Sequence, residues 1–99
     1  MPVVAKVGDI PNMGKKLVVV EGQELLLINH KGTVYAVETE CPHQGAPLAG
    51  ALVKESYLSC PRHGYRFELQ DGSCREHPEY TLKTWPVRIE NGEIIVDLA

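Results

Sequence analysis

A chain of 99 residues has room for one domain and should bury only about 60 to 70% of the surface its unfolded form exposes. Its 43% apolar and 23% charged residues exclude a disordered segment, a collagen-like repeat and a disulfide-rich toxin scaffold. Ten Lys and Arg against 13 Asp and Glu give a formal charge of −3, without the basic surplus that neutralising DNA or RNA phosphates requires, so no nucleic-acid partner is expected.

Seven Pro and nine Gly interrupt the chain so often that no helix-length amphipathic stretch survives, and the sequence reads as all-β. Strands are predicted, in chain order, over residues 3–7, 15–20, 23–29, 33–38, 57–59, 65–69, 85–90 and 93–98, each a short β-rich run. Turn pairs lie between most of them: Gly8-Asp9, Glu21-Gly22, Lys31-Gly32, Asp71-Gly72 and Asn91-Gly92. A two-residue Asn91-Gly92 turn sets the register of the last hairpin, with Glu90 opposite Glu93, Ile89 opposite Ile94 and Val87 opposite Val96. Both apolar pairs then share one face, while Arg88 and Ile95 fall on the other, which is expected to be only partly covered. The longest apolar runs, residues 17–20 and 25–28, fall far short of the roughly 18 residues of a spanning helix, so no membrane anchor is expected. The first ten residues include Lys6 and Asp9 and lack the apolar core of a secretion signal, which leads to an expected cytoplasmic location.

The strand pattern stops twice. Residues 39–50 contain Cys41-Pro42-His43-Gln44-Gly45-Ala46-Pro47, and a second break begins Cys60-Pro61-Arg62-His63. Each break offers one thiolate and one imidazole, and three cysteines in a reducing compartment suggest metal or redox chemistry before a disulfide frame. Cys41, His43, Cys60 and His63 are therefore the candidate metal ligands. A tetrahedral zinc site could use the same four residues, yet zinc ribbons and fingers generally place like ligands together. Mixed knuckles favour a two-metal centre in which the cysteines take one iron and the histidines the other. His30, beside Lys31-Gly32, is read as a loop residue, and Cys74 lies outside both knuckles.

These residues give the chain a resemblance to the Rieske-type 2Fe-2S ferredoxin family, whose signature is Cys-x-His followed at a distance by Cys-x2-His. The match extends to Pro42 and Pro61 after each Cys, Gly64 after His63, Phe67 and the Asp71-Gly72 turn. The resemblance implies a single Rieske domain over residues 1–99. Its small antiparallel β-sandwich or barrel base would carry a cluster-binding subdomain of two loops, at about 39–50 and 60–66. It also implies one 2Fe-2S cluster per chain held by Cys41, His43, Cys60 and His63, with Pro78 in the place of a proline-containing loop that covers the cluster.

The function implied is that of a soluble, monomeric one-electron carrier of the bacterial oxygenase type. It would take electrons from a reductase, expected to be a flavoprotein, and pass them to a terminal oxygenase or oxidase. No Ser/His/Asp set, phosphate-binding Gly loop or dinucleotide fingerprint is present, and no mononuclear-iron domain follows residue 99, so the chain is not expected to be an enzyme by itself. The small subunit of a nitrite reductase is a close relative and the nearest alternative; a structural zinc or redox-sensing module is a further one.

Two ferric ions, two sulfides and two thiolates sum to zero charge with neutral imidazoles. Histidine ligation thus makes reduction easier than in a plant-type ferredoxin at about −400 mV. Quinol-oxidising relatives carry hydroxyl donors where this chain has Tyr65 and Phe67, and a loop disulfide where it has Ala46 and Arg62. A potential near the low end of the Rieske range of about −150 to +300 mV is expected. The nearly uncharged stretch 44–48, with Arg62 beside it, suits brief docking.

Overall fold

The computed structural model describes residues 3–40, 48–54, 57–60 and 64–97. Among these residues the chain forms ten strands and two short 3-10 turns: β1 (Val3–Lys6), η1 (Val7–Asp9), β2 (Lys15–Val20), β3 (Gln23–His30), β4 (Thr33–Val37), η2 (Leu48–Gly50), β5 (Leu52–Lys54), β6 (Tyr57–Ser59), β7 (Arg66–Glu68), β8 (Thr84–Trp85), β9 (Val87–Glu90) and β10 (Glu93–Val96). They assemble into sheets of order β1-β10-β9, β2-β3-β4-β8 and β5-β6-β7, with antiparallel pairing throughout. The all-β reading holds, with two local differences. Residues 85–90 split at Pro86, which has no N–H to give to a ladder. The three-residue β5 is too short to show an alternating pattern in sequence.

Hairpins set most of the register. Glu21, Lys31 and Asn91 have φ of 51°, 51° and 53°, each followed by a glycine at +80°, +90° and +77°. Both central residues of these turns thus lie in the left-handed region, as a type I′ turn requires. Glu90–Glu93, Ile89–Ile94 and Val87–Val96 pair as the Asn91-Gly92 turn dictates. The two faces of that hairpin differ from expectation. Ile89 stays 41% exposed at the open edge of its sheet, whereas Ile95, on the face expected to be partly covered, is buried between Val3 and Arg88. His30 is also corrected: it is the last residue of β3, paired with Thr33, and the turn begins after it.

Every residue from Leu25 to Asn29 is buried, the continuous pattern of a strand covered on both faces. Leu25 and Leu27 share one apolar cluster with Val34, Ala36, Trp85, Ile94 and Val96. Leu26 and Ile28 share another with Val37, Leu48, Ala51, Leu58 and Phe67. The middle sheet is therefore the central layer, with β1-β10-β9 on one side and β5-β6-β7 on the other. Asn29 is the one polar residue among the buried ones described, and its side chain is satisfied. Its Nδ2 donates to the Ile10 carbonyl at 2.8 Å and its Oδ1 accepts from the Gly32 N–H at 3.0 Å, fastening the 10–14 segment to the β3–β4 turn.

Candidate metal centre

The third sheet positions the candidate site. Leu52 pairs with Ser59, and Ser59 with Arg66. The start of β5, the end of β6 and the start of β7 thus lie at one end of the sheet, where η2 leads into β5, Cys60 follows β6 and Gly64 precedes β7. Backbone hydrogen bonds join the described residues that flank each break. Leu48 donates to the Thr39 carbonyl at 2.8 Å, Cys60 to the Tyr65 carbonyl at 2.8 Å, and Gly64 to the Cys60 carbonyl at 3.0 Å. Gly64 makes the second closure with φ of +69°, a conformation that a Cβ disfavours.

Of the four candidate ligands, Cys60 lies within the described residues; Cys41, His43 and His63 lie outside them, as do Ala46 and Arg62. Cys60 is 2% exposed, carries a free thiol and belongs to the apolar cluster of Leu48, Ala51, Leu58 and Phe67. A thiolate at such a position suits a metal, because apolar surroundings exclude water and leave the sulfur's charge to be balanced by the ion. Phe67 is fully buried and has no donor to offer a sulfur.

The segment after the Asp71-Gly72 turn folds back along β7. The Tyr65 ring lies 4.7 Å from that of His77 and 6.4 Å from that of Tyr80. His77, next to Pro78, thus packs against the Tyr65 ring beside β7. Cys74 is buried, bridged to Phe67, with its Sγ 3.9 Å from Glu76 Oε1. The outer surface of the sheet carries two ion pairs, Arg66–Glu76 at 2.6 Å and Arg75–Glu68 at 2.9 Å. Both guanidinium groups also lie over the Tyr57 ring, at 5.8 and 4.7 Å from its centre.

Glu76 accepts the backbone N–H of Arg66, and this bond more than any other holds its carboxyl below the usual carboxylate range. In return, the hydrogen bond that Arg66 Nε donates to Glu76 raises the Arg66 guanidinium. The backbone N–H and hydroxyl of Ser73 hold Asp71 below its ordinary value in the turn. Sequence reasoning missed Glu76 as a partner of the site. It is an exposed carboxylate ten residues from Arg66, with the 71–72 turn as the one signal bringing them together.

A profile of the Rieske [2Fe-2S] domain family matches residues 1–86, and the chain belongs to that family. It is 35% identical over 83 residues to the ferredoxin component of a naphthalene 1,2-dioxygenase system from Pseudomonas putida, covering 83% of this chain and 80% of that protein. The fold superposes on Sphingomonas yanoikuyae B1 ferredoxin with a TM-score of 0.88, at 26% identity over 99% of this chain and 98% of that one. It also matches a chain from the complex of reduced oxygenase and oxidized ferredoxin in carbazole 1,9a-dioxygenase, with a TM-score of 0.85 at 25% identity over 96% and 90% of the two chains. A putative NADH-dependent nitrite reductase small subunit from Mycobacterium tuberculosis shares the fold, with a TM-score of 0.89 at 22% identity over 99% and 95%. The cofactor of the family is a Rieske-type [2Fe-2S] cluster, and two thiolates with two imidazoles are the donor set that such a cluster takes. Among the described residues no helix is long and apolar enough to cross a membrane.

Proposed function

We propose that this chain is a one-electron carrier whose cluster is held by the thiolates of Cys41 and Cys60 on one iron and the imidazoles of His43 and His63 on the other. The observation that carries the reading is the buried, free thiol of Cys60 just after β6, set in the apolar cluster of Leu48, Ala51, Leu58 and Phe67. When bound, the cluster supplies reversible one-electron chemistry within the Rieske range of potentials. The protein's part is to hold the cluster and to exclude water from the Cys60 sulfur.

Likeness to the naphthalene dioxygenase ferredoxin component and to the carbazole dioxygenase complex supports a terminal oxygenase as the electron acceptor. An electron-donating reductase, expected to be a flavoprotein, completes the chain of transfer. Residues 1–99 act in this reading as one monomeric, cytoplasmic domain. Nearly uncharged residues 44–47 and Arg62 would form the docking rim, without Leu48, which the core buries completely, so Arg62→Glu should slow transfer to the acceptor and leave the cluster's absorption unchanged.

A reductive titration tests the proposal. It should take up one electron per chain with a midpoint below about +100 mV, because the sulfurs lack a hydroxyl donor at Phe67. A higher midpoint would contradict the assignment of Phe67, and a colourless zinc protein would contradict electron carriage. Stable co-purification with one large enzyme would point instead to a nitrite-reductase-type subunit.

A further inference from the structure

Strand β7 begins at Arg66, three residues after His63. Its inner edge pairs with β6 and its outer edge with the returning segment 73–76. Along that outer edge Glu68 donates to the Ser73 carbonyl at 2.8 Å, Phe67 bridges Cys74, and Arg75 donates to the Arg66 carbonyl at 2.8 Å. A regular antiparallel pair would return the last bond, from the Arg66 N–H to the Arg75 carbonyl. Here the Arg66 N–H goes instead to Glu76 Oε1 at 2.8 Å, while Oε2 takes the same residue's Nε at 2.6 Å. The chain then turns away through His77 and Pro78, closed by the Tyr80 N–H on the His77 carbonyl at 2.9 Å. The carboxylate thus substitutes for a backbone acceptor where the returning segment leaves the sheet.

We infer that Glu76 is a positioning residue for the metal centre, fixing the backbone at Arg66 so that Cys60 keeps a set position. The inference rests on the reading that Cys60 holds the cluster. The connection is short: Glu76 holds the Arg66 amide, Arg66 follows Tyr65, and the Tyr65 carbonyl accepts the Cys60 N–H. Glu68 provides an internal comparison. It forms an ion pair with Arg75 of similar exposure, 35% and 30% against 44% and 29% for Arg66 and Glu76. Among the described residues, however, its carboxylate bonds only the Arg75 side chain.

The test compares Glu76→Ala, Glu76→Gln and Glu68→Ala in the purified holoprotein, by electron paramagnetic resonance of the reduced state and by hydrogen exchange of peptides spanning residues 60–68. Glu76→Ala should shift the g values and speed exchange about five-fold, the worth of one hydrogen bond. Glu76→Gln retains an acceptor for the amide and should restore most of both properties, and Glu68→Ala should leave them as in the wild type. The inference is overturned if Glu76→Ala matches the wild type in both readouts. It is overturned also if Glu76→Gln shifts as far as Glu76→Ala, which would make charge the cause, or if Glu68→Ala does so, which would make any surface pair equivalent. A wild-type protein without a reduced-state signal would refute the cluster assignment instead, and the exchange comparison would still decide whether Glu76 fixes the backbone at Arg66.

Discussion

The middle sheet and the third sheet are held together by different physics. β3 and β4 run for eight and five residues, and both faces of β3 are covered by apolar clusters. β5, β6 and β7 have three residues each, and their outer surface is laced by Arg66, Arg75, Glu68 and Glu76 around Tyr57. Strands so short make few ladder bonds and need packing from elsewhere, here from Leu26, Ile28 and Val37 of the middle sheet. Exposed ion pairs add little to stability. The layer to which we assign the cluster is therefore the less self-sufficient one, and a cluster bound there would become part of its stability.

The largest effect expected from this contrast is on metal removal. Chelation should strip hydrogen-exchange protection from residues 52–68 while residues 23–37 stay protected; equal loss in both would break the comparison. Next comes Gly72→Ala. Gly72 has φ of +80°, and a Cβ there would collide with the Leu82 carbonyl, whose residue also donates its N–H to the Gly72 carbonyl at 2.7 Å. Thermal denaturation should register a loss of about 3 kcal/mol. Gly8→Ala, with open space around it, should stay within about 0.5 kcal/mol of the wild type.

Asn29→Ala probes the middle layer, where it leaves the Gly32 N–H and the Ile10 carbonyl without their side-chain partner. Urea unfolding should show a cost of about 2 kcal/mol with the reduced-state spectrum unchanged, because Asn29 faces away from the third sheet. The smallest effect is on acidification. Asp71 and Glu76 are held below their ordinary carboxyl range by the N–H groups of Ser73 and Arg66. Their contribution is complete above the unfolded carboxyl range and is lost as pH falls through the lowered folded values. Exchange protection of residues 66–76 should persist through the usual carboxylate range and fail below it. Failure at the ordinary range would show that neither contact survives in solution.

Much of the fold was legible because its signals are local. Turn pairs ending in glycine marked the three hairpins that the structure closes with both central residues at positive φ. The four ligand candidates were legible because a metal demands particular atoms at particular spacings. What sequence did not disclose depends on contacts between distant segments. β5 is too short for a pattern, Ile95 is covered by its neighbours across two strands, and Glu76 meets Arg66 only after the Asp71-Gly72 turn has closed. His77 likewise reaches Tyr65 through the return of the chain.

Electron paramagnetic resonance of the chemically reduced protein, quantified against its iron content, tests the central claim most directly. The account predicts one rhombic signal per chain with an average g below that of an all-cysteine [2Fe-2S] cluster, as mixed Cys41, Cys60, His43 and His63 ligation requires. An all-cysteine type of spectrum, or a silent protein containing zinc, would contradict it.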